Sequence, residues 1–326
     1  MRQKKTAEPD SVPGNSPRNL PGNGMPNKSI TFSEAENESL QISALHLSFP
    51  LMTLKQRNRL ITILIVASIA GFAISAATIA VNAAKSNLIP PPETIRPMRI
   101  LSAIPFTPVS FAATALSCAL LVLSVPAALF IIERYLNKTK ATEIGYFIAC
   151  LVGISCETAR MFVMGMRLWQ TFSDVLLMLG RIILFGRVLT TLSFVFASVL
   201  SETSQRQDNA RNMAILFSVS VLVAMTTPLN TARILSTGMV TVGFPDIFRL
   251  LTATMAATSI AAFVYKAKKH DRKEFITLAI VTAVLFTGYA TLTSSDCYAT
   301  LILGAALFCA GIFRYIRTIH ALYLWN

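Results

Sequence analysis

Ionisable side chains are the scarcest feature of this sequence. Of 326 residues only 16 are Asp or Glu and 3 are His, and charged residues make up 14% against about 25% in an ordinary soluble domain. The histidines, His46, His270 and His320, all fall outside the long apolar runs. Haem ligation by paired histidines, a histidine-based zinc site and serine–histidine catalysis within those runs are therefore unsupported. Glu157 is the one carboxylate inside a run, so acid–base work by paired carboxylates is unsupported too. No phosphate-cradling Gly-x-x-x-x-Gly-Lys motif occurs. The five cysteines, Cys118, Cys150, Cys156, Cys297 and Cys309, contain no Cys-x-x-Cys pair, and an odd number completes no disulfide framework. Four of them lie in apolar runs, where a thiol behaves as a small apolar side chain; Cys297 falls in a short connection, where exposure is expected. The sequence thus offers no catalytic residue, no metal site and no cofactor site.

Apolar residues are abundant instead, at 53%, and the mean hydropathy is +0.58. A helix rising 1.5 Å per residue needs about 20 apolar residues to cross about 30 Å of hydrocarbon. Runs of that kind recur near 60–81, 109–132, 144–168, 175–200, 213–229, 247–265, 275–292 and 299–313, the fifth and eighth being short. They are continuous rather than alternating, which excludes a membrane β-barrel. The expectation is an all-α polytopic transmembrane bundle of about eight spans over residues 54–326. Pro126 and Pro228 predict kinks in the second and fifth spans. No internal repeat is visible and helix breaks are few, which weakens an inverted-repeat transporter reading.

Residues 1–53 are of another composition. The stretch Ser-Val-Pro-Gly-Asn-Ser-Pro is followed by more Pro, Gly and Asn, too polar to offset ordering entropy by burial. The reading is a disordered cytoplasmic tail, with a start of translation at Met52 as the alternative. Residues 82–108 carry Ile-Pro-Pro-Pro-Glu with Pro97 and Pro105, a pattern for a stiff extended connection over one face.

The formal charge of +13 sits between apolar runs rather than on a soluble face, so it points to the head groups of a lipid bilayer and not to nucleic acid. Alternate connections divide it unequally. One set, around 55–59, 134–140, 206–211, 266–273 and 314–317, holds fifteen Lys and Arg; the other holds only Lys85, Arg96, Arg99 and Arg233. The positive-inside rule then puts both ends in the cytoplasm and the chain in the plasma (inner) membrane. A cleavable signal around the first run is the rival, but the run exceeds the 7–15 apolar residues usual in such signals.

Within or at the edge of spans stand Arg160, Arg167, Arg181, Arg187 and Arg249 against Glu157. A charge at the middle of a membrane helix costs on the order of 2.5–3.5 kcal/mol and is normally turned inward and paired. Glu157 and Arg160 share a helical face at i,i+3 spacing. The connector 169–174 is short, so the third and fourth spans form an antiparallel hairpin that places Arg187 level with Glu157. One carboxylate cannot neutralise Arg160, Arg181 and Arg187. Two readings follow. Glu157, Arg160 and Arg187 are a register-fixing ion-pair network, or Arg160, Arg181, Arg187 and Arg249 line an outward-opening pocket for a small anionic ligand between the third, fourth and sixth spans. Gly180 and Gly186 precede two of these arginines and allow close approach of a neighbour.

In function terms the pocket implies a non-enzymatic sensor or receptor module. The short C-terminal tail would require a partner protein to carry its signal. A transporter or permease subunit for a small anion, and a membrane scaffold whose buried charges serve packing, are the alternatives.

Overall fold

The computed structural model describes residues 54–85, 94–95, 108–136, 142–170, 173–200 and 209–324, all within one compact unit, Phe49–Asn326. The 1–53 tail and most of the 82–108 connection lie outside the described residues. Nine α-helices are described: α1 Leu54–Ala84, α2 Phe111–Leu136, α3 Thr142–Ser155, α4 Thr158–Met166, α5 Ser173–Leu200, α6 Asn209–Thr226, α7 Pro245–His270, α8 Lys273–Thr293 and α9 Tyr298–Leu324. Eight helical stretches are long and apolar enough to cross a membrane, the third being α3 and α4 together, Glu143–Met166.

Three of the differences between sequence boundaries and structure have a physical reason. The fifth helix ends at Thr226 rather than running to 229, because Pro228 has no amide proton to extend it and disfavours helical backbone before it. Pro228 therefore opens a strand and kinks no helix. The last helix outruns its apolar window by eleven residues and continues to Leu324 as an amphipathic helix. It buries Ile312, Tyr315, Ile316, Ile319 and Leu322 while Arg314 and Arg317 stay exposed. The segment read as a free C-terminal tail is thus packed helix. Third, the span read as continuous over 144–168 is broken at Cys156 and Glu157.

A small sheet was not anticipated. Strands β1 Thr94–Ile95, β2 Leu229–Leu235 and β3 Val240–Val242 lie in the order β1-β2-β3, β1 parallel and β3 antiparallel to β2. Thr94 pairs with Ile234 and Ile95 with Leu235; Leu229 pairs with Val242 and Asn230 with Thr241, with a register irregularity between Asn230 and Ile234. The β2–β3 turn closes at Gly238, whose φ of +74° suits glycine. Its buried side packs Ile234 and Val240 against Val163, Leu168 and Leu176, tying the sheet to α4 and α5.

These contacts sort the connections by end. The sheet joins the segments after α1 and α6. Asn82 Nδ2 donates to Gly165 O at 2.5 Å, and Ser110 N donates to Asp296 O at 2.8 Å, so the connections after α4 and α8 share that end. At the other end Arg57 Nη2 donates to Leu136 O at 3.0 Å, and the Tyr135 and His320 rings meet edge to face at 6.2 Å. That second end is also where the Lys and Arg of 266–273 and of 314–317 lie.

The main core joins α2, α3, α8 and α9 with side chains from α1, α5 and α7. Phe194 of α5 is its hub, with ring centroids 6.2 Å from Phe147, 5.0 Å from Phe286 and 5.4 Å from Tyr315. Where α3 crosses α5 the backbones nearly touch. A Cβ on Gly153 would stand 2.5 Å from Thr190 Oγ1 and 2.6 Å from Gly186 O, and one on Gly186 would stand 2.5 Å from Cys156 Cβ. Hydrogen removes both clashes, so this glycine pair sets the closest helix crossing near the buried charges.

The crossing predicts an asymmetric response to alanine. Gly186→Ala overpacks backbone against backbone and should cost about 1–3 kcal/mol. Gly71→Ala, whose Cβ would meet Thr158 at an ordinary 3.5 Å, should cost little. Melting temperatures of the two purified variants check this.

Candidate functional site: a buried glutamate between two arginines

The helix break positions the site. After Ile154 the backbone tightens: Cys156 N donates to Gly153 O at 3.2 Å and Glu157 N to Ile154 O at 3.0 Å, i→i−3 bonds in place of i→i−4. Ser155 Oγ donates back to Val152 O at 2.7 Å, and Cys156 Sγ to the same oxygen at 3.5 Å, offering those carbonyls an alternative to the helical ladder. Before the break α3 packs on α5 and α2; beyond it α4 turns chiefly against α1, keeping contact with α5 and α2. Arg167, in left-handed conformation at φ 54°, ends α4.

Glu157 sits at this break with 1% of its surface exposed, and both carboxylate oxygens are engaged. Arg160 Nη1 donates to Oε2 at 3.1 Å and Arg187 Nε donates to Oε1 at 2.9 Å. Arg160 is wholly buried and holds three elements together. Besides Glu157, its Nη1 donates to Thr293 O at 3.0 Å and its Nη2 to Ser117 Oγ at 3.3 Å. Thr293 is the last residue of α8, so its carbonyl belongs to the unsatisfied C-terminal set, where the helix dipole favours a cation. Arg160 thus finds compensation at Glu157 and at a helix end. Arg187 has only Glu157. Its side chain is 16% exposed, and its Nη2 is buried with no hydrogen-bond partner.

The other two arginines of the expected pocket lie elsewhere. Arg181 is six residues before Arg187, one and two-thirds turns, so it points from another side of α5; its Nη1 donates to Met225 Sδ at 3.5 Å. Arg249 is 58% exposed and pairs with Asp246 at 3.1 Å. The structure thus brings Arg160 and Arg187 together around Glu157 and places Arg181 and Arg249 apart from them. Asp246 was readable as a partner, since it stands three residues before Arg249 just as Glu157 stands before Arg160. Ser117 and Thr293 carried no such signal: one is a hydroxyl in an apolar run, the other contributes a main-chain oxygen. Cys297, expected to be exposed, is 1% exposed, just before α9, with its thiol 3.2 Å from Thr300 Oγ1.

No family model, curated protein or solved structure matches this chain. The chemistry of the site rests on its geometry alone.

That geometry ranks the substitutions. Glu157→Gln leaves two buried guanidinium groups with no carboxylate and should cost about 3–5 kcal/mol. Arg187→Gln leaves the Glu157–Arg160 pair intact and should cost less, while Arg249→Gln should stay within about 0.5 kcal/mol. Thermal melts of the three variants in one detergent test the order.

Proposed function

We propose that this chain is a multi-pass membrane protein whose core senses or admits a small anion beside Arg187. The observation that carries this reading is the surplus of one buried positive charge. Two arginines share one carboxylate whose oxygens are both occupied, and Arg187 retains a buried, unused N–H group on a side chain that is not fully enclosed. A guanidinium in low dielectric with an unused donor is a receptor for an anion, because its charge is only partly compensated and its hydrogen-bonding capacity is not exhausted. Arg160 also keeps a buried Nε–H without a partner, but its side chain is 0% exposed and it serves the architecture; Arg187, 16% exposed, serves the ligand. Among the described residues no constellation for covalent or acid–base catalysis accompanies them, and the reading is of a non-enzymatic binding module.

Orientation follows from charge. The end bearing Arg57, Arg134, Lys268, Lys269, Arg272, Lys273, Arg314 and Arg317 faces the cytoplasm of a plasma membrane, and the β-sheet end faces outward. An epitope inserted at 266–273 should be cytoplasmic; surface labelling of it from outside would reverse the assignment.

A second reading has one observation in its favour. The third span is interrupted where the charges lie, as in transporters whose half-helices line a site within the membrane. Signal relay and transport separate by flux measurements in proteoliposomes.

In the binding test, wild-type protein is melted against a panel of sodium salts at constant ionic strength. A ligand at a hundred times its Kd should add about 2.7 kcal/mol of stability. Arg187→Gln should melt independently of every salt. A salt response that survives Arg187→Gln, or that is missing from the wild type, overturns the reading.

A further inference from the structure

Turns normally lie at the surface, where water satisfies their polar groups. The β2–β3 turn does not. Ser236, Thr237, Gly238 and Met239 are all buried, Thr237 with 1% of its surface exposed. The turn is closed on itself, since Leu235 N donates to Met239 O and Gly238 N to Leu235 O, each at 2.9 Å, so its tip moves as a unit. Two contacts of different character seat that tip. Ser236 Oγ donates to Oδ2 of Asp296, in the α8–α9 connection, at 3.0 Å, and Asp296 is itself 2% exposed. Met239 reaches in among Ala159 of α4 and Ile183 and Leu184 of α5. Ala159 precedes Arg160, and Leu184 lies three residues before Arg187, so Met239 packs directly beside the charged junction on its sheet side. Gly238 lies so close over Met164 that a Cβ would stand 2.8 Å from Met164 Cγ.

We propose that the Leu235–Met239 turn is a plug that opens. Met239 closes the sheet side of the Glu157 junction, the Ser236–Asp296 hydrogen bond latches the tip, and release of the latch lets water and solutes from that side reach the junction. The chemistry of the seam favours movement there. An immobile cover needs no polar groups, whereas a hydroxyl and a carboxylate that part regain hydrogen bonds from water. The base of the hairpin is held otherwise: Ile234 and Val240 pack against Val163, Leu168 and Leu176, and that apolar contact has no substitute in water. Local opening therefore begins at the latched tip and stops at the base. An unbranched, flexible Met239 withdraws from between two helices without displacing them. As regulation of the Arg187 site, the plug rests on the binding reading; the movement itself does not.

The experiment uses full-length protein in detergent with one added reporter, Thr237→Cys on the tip or Ala159→Cys beneath Met239, each with and without Ser236→Ala. Reaction with a soluble maleimide is followed site by site through peptide mass spectrometry. Native Cys150, 1% exposed in α3, reports global unfolding in the same sample. With the latch intact both reporters should react slowly. Ser236→Ala should raise both rates about tenfold, the effect of losing one hydrogen bond to a carboxylate on a local opening equilibrium, and leave Cys150 unchanged. An equal rise at Cys150 would mean general loosening and overturn the latch. If neither reporter speeds up, Ser236 holds nothing and the proposal falls. If Thr237→Cys speeds up while Ala159→Cys stays protected, the tip moves without opening the junction and there is no plug. Fast reaction of both with the latch intact would show that nothing is closed. No ligand enters these measurements, so a salt response missing from the binding test would remove the anion and leave the plug standing.

Discussion

One buried carboxylate organises the interior of this protein. Glu157 receives Arg160 on one oxygen and Arg187 on the other, and through them it joins α4 to α5, to the C-terminal carbonyl of α8 and to Ser117 of α2. A buried ion pair is weak evidence for stability in itself, since desolvation of the charges offsets much of their attraction. What it provides is register. Each partner is correctly placed only when four helices hold their relative depth, and a slip of one turn leaves a charge buried alone.

The network depends in turn on two small residues and a broken helix. Gly153 and Gly186 let α3 and α5 approach to backbone contact, closer than any side chain permits, and the tightened turn at Cys156 and Glu157 follows immediately. The break redirects α4 away from the line of α3. Arg160 then faces α2 and α8 while Glu157 still faces α5. An unbroken helix would carry Glu157 and Arg160 on a single face toward one neighbour. The break therefore converts an i,i+3 pair into a junction between helices. The same geometry leaves Arg187 with an unused donor, so the register-fixing pair and the proposed binding group arise from one arrangement.

The bundle was legible in the sequence because hydrocarbon length and apolar continuity act locally, and the eight spans need no tertiary information to be seen. The level placement of Glu157 and Arg187 was legible for a similar reason: a short connector and a constant rise per residue locate them. Span ends were less so. Hydropathy windows stop at Arg314, yet an amphipathic helix tolerates cations on its exposed side and continues to Leu324. Strand β3, Val-Thr-Val after Ser-Thr-Gly, carried a readable β-branched run and a glycine turn, but three residues are too few to outweigh neighbouring apolar runs. Arg181 and Arg249 lie apart from Glu157 because azimuth around the helix, as well as depth, decides which side chains meet. The break at Glu157 and the partners of Arg160 on α2 and α8 depend on which helices touch, and that is written in no single segment.

The central claim is that Glu157 and Arg187 are directly coupled across two helices. A double-mutant cycle of Glu157→Gln and Arg187→Gln, read as unfolding free energy or melting temperature, isolates that coupling from the cost of each change alone. A bridging carboxylate predicts strong non-additivity: the double variant should be more stable than the sum of the two losses allows, by about 1–3 kcal/mol. Additive losses would mean that the two side chains do not meet, and would contradict the account at its root.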